Sequence, residues 1–254
     1  MRRPALVSAL ILLFLIVTVV GSQATPLSLR GTEMVYASGL DITWLRDANL
    51  ALTSTFGVSE IGLDGSMTWA TAQLWIEAMN AANYLGYSDW RLPKIDPIGS
   101  EYDYGRSFDG STDYGSGITS PNSELAYMFT VALDNYYAGA PYPQHLVDDP
   151  ANPYDESLFR NLGCAPSSSS LYCPTFWSGS IYPQNPRYPM SAAGVWVFDM
   201  GNGIQSGDYA SHTWYAWAVR DGDSVPQSVP DPGSTLLLLG MGLAGLVGAA
   251  RRRR

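Results

Sequence analysis

Two apolar runs without a polar face lie near the ends of the chain, at 5–20 and 234–250, and the periodic patterns fall between them. Met34, Val35 and Tyr36, then residues 40–45 around Ile42, Thr43 and Trp44, are β-branched and aromatic, with Ala37-Ser38-Gly39 between them. This predicts two short strands. Over 66–85 the spacing changes: Trp69, Ala72, Ile76 and Met79 share one helical stripe, Ser66 is placed to cap it and Gly86 to stop it. A second helix is predicted from Leu125, Met128, Phe129, Ala132, Leu133 and Tyr136, starting after Asn122 or Ser123 and ending at Gly139. From Phe159 onward the character is that of strands, at 175–178, 194–199, 204–205 and 212–220, with Gly201-Asn202-Gly203 as a hairpin turn. Helices first and an antiparallel sheet after make an α+β order. Two loops, 96–121 and 140–153, are long enough to be functional or locally disordered.

The terminal runs have their own chemistry. Arg2 and Arg3 precede the first, and Gly21-Ser22-Gln23-Ala24 follows it with small residues three and one before Thr25. That is the plan of a signal peptide, 1–24, cleaved after Ala24; an uncleaved N-terminal anchor is the alternative. The second run has about the minimum length for crossing a bilayer core of about 30 Å, and four arginines, Arg251 to Arg254, follow it. Such a cluster holds its end in the cytoplasm while the signal peptide sends the intervening chain out. The expectation is an ectodomain over 25–228 and a membrane segment within 229–254.

Charge narrows the function. With the basic termini set aside, residues 25–230 carry eight basic and twenty-two acidic side chains, a net charge of −14. Nucleic-acid binding needs clustered Lys and Arg that displace counterions, so that class is excluded. Divalent cations, neutral sugars or plain solubility fit an acidic exterior. The two cysteines, Cys164 and Cys173, bracket a serine-rich stretch in a chain expected to meet an oxidising compartment, which reads as a disulfide. A zinc site there would need more ligands, and His145 and His212 are the only histidines.

One loop concentrates candidate chemistry. Asp103, Asp109 and Asp113 lie on a glycine-bearing stretch and can supply the oxygen ligands calcium takes, although their spacing is not that of an EF-hand. Tyr102, Tyr104 and Tyr114 interleave them and can pack on sugar faces or back onto the domain. Enzyme signatures are absent: the sequence has no His-Glu-x-x-His, no Gly-x-Ser-x-Gly and no glycine-rich phosphate loop. No catalytic residue is expected, and no cofactor other than calcium.

Five stretches then align with one family: Asp41-Ile42-Thr43-Trp44-Leu45-Arg46-Asp47, Met67-Thr68-Trp69-Ala70, Trp90-Arg91-Leu92-Pro93, Phe176-Trp177-Ser178 and Trp217-Ala218-Val219-Arg220-Asp221. In this order they resemble the Lcl C-terminal domain family across about 33–223. The resemblance implies a C-type-lectin-like fold, and its best-known members are surface adhesins that bind sulfated polysaccharides. Sulfated polymers want basic clusters, which conflicts with the acidic balance here. Trp44, Trp90, Trp177 and Trp217 also suit a core, Arg91 suits a structural ion pair or a backbone-carbonyl ligand, and Arg220 is a structural residue of the family motif.

At the tail, Val229-Pro230-Asp231-Pro232-Gly233, an apolar run and an arginine cluster resemble a PEP-CTERM sorting signal, with Asp231 at the usual glutamate. The implied partner is an exosortase-type transpeptidase. The rival enzyme family, formylglycine-generating oxidases, shares an Arg-Leu-Pro block, but Lys94-Ile95-Asp96-Pro97 follows it here and the thiol ligands of such an enzyme are missing. The function expected is a noncatalytic, exported carbohydrate- or exopolysaccharide-binding domain, or else a structural matrix protein without a small ligand.

Overall fold

The structure, a computed structural model, describes residues 27–135, 158–162, 165–167, 170–172, 174–183 and 194–224. The predicted strand pair is present and is joined by an earlier strand. β1 (Leu27–Arg30), β2 (Met34–Ala37) and β3 (Ile42–Leu45) form an antiparallel meander in which Leu27 faces Ala37 and Ala37 faces Ile42. All four residues of β3, which lies between β2 and β11, are buried.

α1 (Trp69–Ala81) is shorter than the periodic stripe predicts. Thr68 caps it, its Oγ1 accepting the Thr71 amide, while Ser66 is drawn off to the Asp64 carboxylate. At the other end Asn83 takes a left-handed conformation, φ 51°, and the helix stops there rather than at Gly86. The buried stripe is Thr71, Ala72, Trp75, Ile76 and Met79.

The long loop after α1 is not structureless. β4 (Arg106–Ser107) and β5 (Tyr114–Gly115) pair in parallel within it, and β5 joins the larger sheet through Gly115 opposite Gln205. Gly115 has φ 130°, and a Cβ there would lie 1.8 Å from the Ser107 carbonyl oxygen, so only glycine allows this crossing. The second helix begins where predicted but differs in kind. α2 (Glu124–Tyr127) widens into a π turn over Met128–Ala132, closed by the Leu133 amide on the Met128 carbonyl at 2.9 Å. The wider turn leaves Met128, Phe129, Ala132 and Leu133 all buried.

A small hairpin, β6 (Ala165–Ser167) with β7 (Ser170–Tyr172), precedes the main strands β8 (Thr175–Tyr182), β9 (Gly194–Asp199) and β10 (Ile204–Tyr209). The larger sheet has the order β4-β5-β10-β9-β8. The turn at 200–203 joins β9 to β10 as the Gly-Asn-Gly signal predicts, with Asp199 accepting the Gly201 amide and the Asn202 side chain.

The expected strand over 212–220 contracts to β11 (Val219–Asp221), which closes the first sheet as β1-β2-β3-β11. Residues 214–218 are extended but change partner at nearly every step. Trp214 bridges Met67, Tyr215 bridges Phe176 of β8, and the Ala218 carbonyl takes the Leu45 amide of β3. This run is the seam between the two sheets, which is why it forms no ladder of its own. The architecture is α+β and mostly antiparallel.

Among the described residues no helix is long and apolar enough to cross a membrane. The predicted signal peptide, the apolar run at 234–250 and its arginines lie outside the described residues.

Trp217 sits at the middle of the seam. Its ring lies 4.5 Å from Trp44, 5.0 Å from Phe159 and 5.4 Å from Phe176, and its Nε1 donates to the Leu45 carbonyl at 2.7 Å. Replacing it with alanine is expected to cost about 3–5 kcal/mol in urea unfolding of the folded domain. A cost under about 1 kcal/mol would contradict this packing.

Candidate functional site

The Trp-Arg-Leu-Pro block is a clasp. Asn80, on α1, accepts the Trp90 amide and donates to the Trp90 carbonyl, both at 2.8 Å, so the turn after the helix is pinned to the helix itself. The Trp90 ring is buried, with its Nε1 on the Tyr84 carbonyl at 3.1 Å. The next residue crosses to the first sheet: the Arg91 amide and carbonyl exchange 2.8 Å hydrogen bonds with Val219 of β11. Its guanidinium then makes a fork, Nη1 and Nη2 donating to the two carboxylate oxygens of Glu124 at 2.8 Å each. The Arg91 Nε donates to Asp221 at 3.0 Å. Glu124 also accepts the Lys94 amide at 2.7 Å, so its charge is fully used. Leu92 is buried, and the Pro93 carbonyl takes the Gly179 amide of β8 at 2.8 Å.

The other motif residues have the same character. Trp177 is buried with its Nε1 on the Met67 carbonyl at 2.8 Å, and Trp44 packs on Trp217. Arg220 forks onto Asp89 through two 2.8 Å hydrogen bonds and stacks 3.9 Å over the Tyr87 ring. Arg30 is held by Asp223, Arg160 by Glu33, and Arg46 by the Leu158 and Thr32 carbonyls. These cations are spent on the domain's own carboxylates and carbonyls, which leaves the acidic excess facing outward.

The acidic, tyrosine-rich loop does not gather its carboxylates. Asp113 is buried, and its two oxygens accept the Ile98 and Asp103 amides at 2.8 Å. Asp103 accepts the Gly105 amide and Asp109 the Ser111 amide, each two residues on. The Ser111 hydroxyl and amide hold the Asp109 carboxyl below its usual range. Among the described residues no three acidic, His or Cys side chains form a group suited to a metal ion. Asp103 and Asp109 thus act as turn formers, and Asp113 as a buried tie that joins distant parts of the loop.

Its tyrosines pack down. Tyr102 lies 5.4 Å from Trp196, Tyr182 lies 4.6 Å from the same ring, and Tyr104 lies parallel to it at 6.3 Å. The Tyr102 hydroxyl donates to the Ile95 carbonyl at 2.7 Å, and burial raises the pKa of both Tyr102 and Tyr104. Trp196 is the residue the pattern analysis missed. The unbroken run Val195-Trp196-Val197-Phe198 carried the signal, since a strand covered on both faces reads as continuous rather than alternating. Asn80 and Glu124 gave no such signal.

An open cleft of about 580 Å³ lies elsewhere, between the β1–β2 turn and residues 85–87. Thr32 and Glu33 on one side face Leu85 and Tyr87 on the other, with bare backbone at Gly31 and Gly86 and Arg30 and Met34 completing the lining. Both Asn83 and Leu85 adopt left-handed backbone, φ 51° and 56°, without being glycine. For leucine that conformation is strained, and its side chain stays exposed, so burial offsets little of the cost.

Cys164 and Cys173 and the tail residues Pro230, Asp231 and Pro232 lie outside the described residues, and no disulfide occurs among the described ones.

The clasp predicts a contrast between its two carboxylates. The Glu124 side chain is 8% exposed and that of Asp221 71%. Glu124→Gln is expected to cost about 3 kcal/mol, by leaving a largely buried guanidinium half paired. Asp221→Asn should stay within about 1 kcal/mol, because water screens that pair. Equal costs in urea unfolding would contradict the assignment. The pH dependence has a definite sign. Arg220 and Arg91 hold the Asp89 and Asp221 carboxyls below the ordinary 3.8, so their contribution is present above that value and is lost as pH falls through the lowered values. Asp199, raised by burial, acts the other way and binds its proton more tightly when folded.

The comparisons fit this geometry. The model for the Lcl C-terminal domain matches residues 33–220, a span that opens just before β2 and closes within β11. The model for the VPDSG-CTERM motif matches residues 228–254. The motif as spelled has aspartate third, so Asp231 is the matching residue and not a substitute for glutamate; Pro232 stands where it has serine. No curated protein and no solved structure matches the chain. A C-terminal sorting motif beside such a domain points to an exported surface protein. The Arg91–Glu124 fork, the tryptophan seam and the larger sheet all fall inside the matched span, and the chain belongs to the Lcl C-terminal domain family.

Proposed function

We propose that this protein is a noncatalytic ectodomain, processed by an exosortase-type enzyme at its tail, that binds neutral carbohydrate of the extracellular matrix or exopolysaccharide. The carrying observation is the cleft at Arg30, Thr32, Glu33, Leu85 and Tyr87. It combines an aromatic and an aliphatic side chain with hydroxyl, carboxylate and bare backbone groups, the mixed chemistry that recognises a sugar's apolar face and its hydroxyls. The strained Leu85 backbone at its rim supports a binding role. Sulfated polymers are disfavoured by the net charge and by the internal use of Arg30, Arg91, Arg160 and Arg220. The C-type-lectin-like fold that membership of this family implies supports the same reading, and the lack of enzyme motifs supports a noncatalytic one.

A disulfide between Cys164 and Cys173 belongs to the proposal. The described hairpin between them pairs Ala165 with Tyr172 and Ser167 with Ser170, and two cysteines flanking so short a segment in an exported chain are expected to be oxidised to a bridge. Alkylation of the exported protein before reduction should modify neither cysteine, and quantitative modification would contradict the bridge.

Binding is tested on arrays of neutral, acidic and sulfated glycans, with and without EDTA. The expected result is binding to neutral glycans, unchanged by EDTA and lowered at least tenfold by Tyr87→Ala. No binding to any glycan would favour a structural matrix protein instead, and EDTA-sensitive binding would return calcium to the mechanism.

A further inference from the structure

The last described residues do not simply leave the domain. After β11 the chain turns at Gly222, φ 77°, whose amide donates to the Asp41 carbonyl at 2.7 Å. It then folds back over the first sheet. The Thr43 hydroxyl on β3 donates to the Gly222 carbonyl at 2.7 Å and accepts the Ser224 amide at 3.0 Å. Asp223 reaches the far edge strand, where Arg30 Nη2 of β1 donates to it at 2.7 Å, and Arg220 donates to the Ser224 hydroxyl. Thr43 and Ser224 are both buried. Residues 222–224 therefore form a strap bound to three strands, β1, β3 and β11. This is a large investment for three residues at the end of a domain, and the family match stops before it, at residue 220.

The strap fixes how much chain separates the folded domain from the sorting motif. Five residues, 225–229, lie between Ser224 and Pro230, and the six residue steps fully extended span about 20 Å. We infer that the strap is a tether-length device, holding the sorting motif within that distance of the outer face of the β1-β2-β3-β11 sheet, so that the processing enzyme works with this face turned toward it. Releasing residues 222–224 would add about 10 Å of reach. The inference rests on the reading of 228–254 as a processed signal and adds the surface against which processing takes place.

Shortening and release have opposite effects, which makes the test a rescue. The full chain is produced in its own host and followed by intact mass for loss of the segment that ends in Arg254. Deleting residues 225–227 should slow processing at least fivefold. In that shortened chain, Thr43→Val with Asp223→Ala and Ser224→Ala should bring the rate back to within twofold of the unaltered protein. Protease resistance of the exported domain confirms that each variant folds. If the deletion has no effect, or if strap release fails to rescue a folded variant, the tether is overturned while sorting stands. If the unaltered protein itself keeps Arg254, the sorting reading fails and the tether falls with it.

Discussion

The Arg91 guanidinium is the point on which the two halves of this domain depend. One side chain and its own backbone tie together elements distant in sequence: the turn after α1, the start of α2 through Glu124, and β11 through Val219 and Asp221. The fork geometry explains why arginine is required. A lysine is a single point charge and cannot span both oxygens of Glu124 while also reaching Asp221. Burying Glu124 would be costly were its oxygens not filled by the guanidinium and the Lys94 amide. Net stability is not the main product of such a pair. It sets where the helices dock on the sheets, and the tryptophans of the seam then fill the space that docking defines.

The sequence showed some of this plainly and the rest hardly at all. Strands with strong β-branched and aromatic character, such as Ile42–Leu45 and Gly194–Asp199, are legible because their residue types have one good local solution. The helices are legible in existence but not in extent. Helix ends are decided by small competitions, such as Ser66 choosing Asp64 over a cap, and by Asn83 turning left-handed three residues early. The seam at 214–218 misled the pattern because extended backbone and a regular strand look alike in sequence. Only the partners differ, and those are set by tertiary structure.

The candidate loop illustrates a related limit. Asp103, Asp109 and Asp113 have the composition of a cation site, but aspartate also accepts backbone amides, and here Asp103 and Asp109 hold turns while Asp113 ties together distant parts of the loop. The loop's Tyr102 and Tyr104 pack on Trp196. The residues that carry the family resemblance are thus largely internal. That is consistent with an acidic exterior here and with a recognition site placed on the turn at 31–33 and the strained segment at 83–87, away from the seam.

The central claim is that the clasp and the seam are one cooperative unit holding both sheets. Native-state hydrogen exchange tests it most directly, since the amides of Arg91 and Val219 report the junction while those of Trp196 and Val197 report the larger sheet alone. The account predicts that all four exchange only through global unfolding, with the same free energy and the same denaturant dependence. Exchange of Arg91 and Val219 through a lower-energy opening, with the larger sheet still protected, would contradict it.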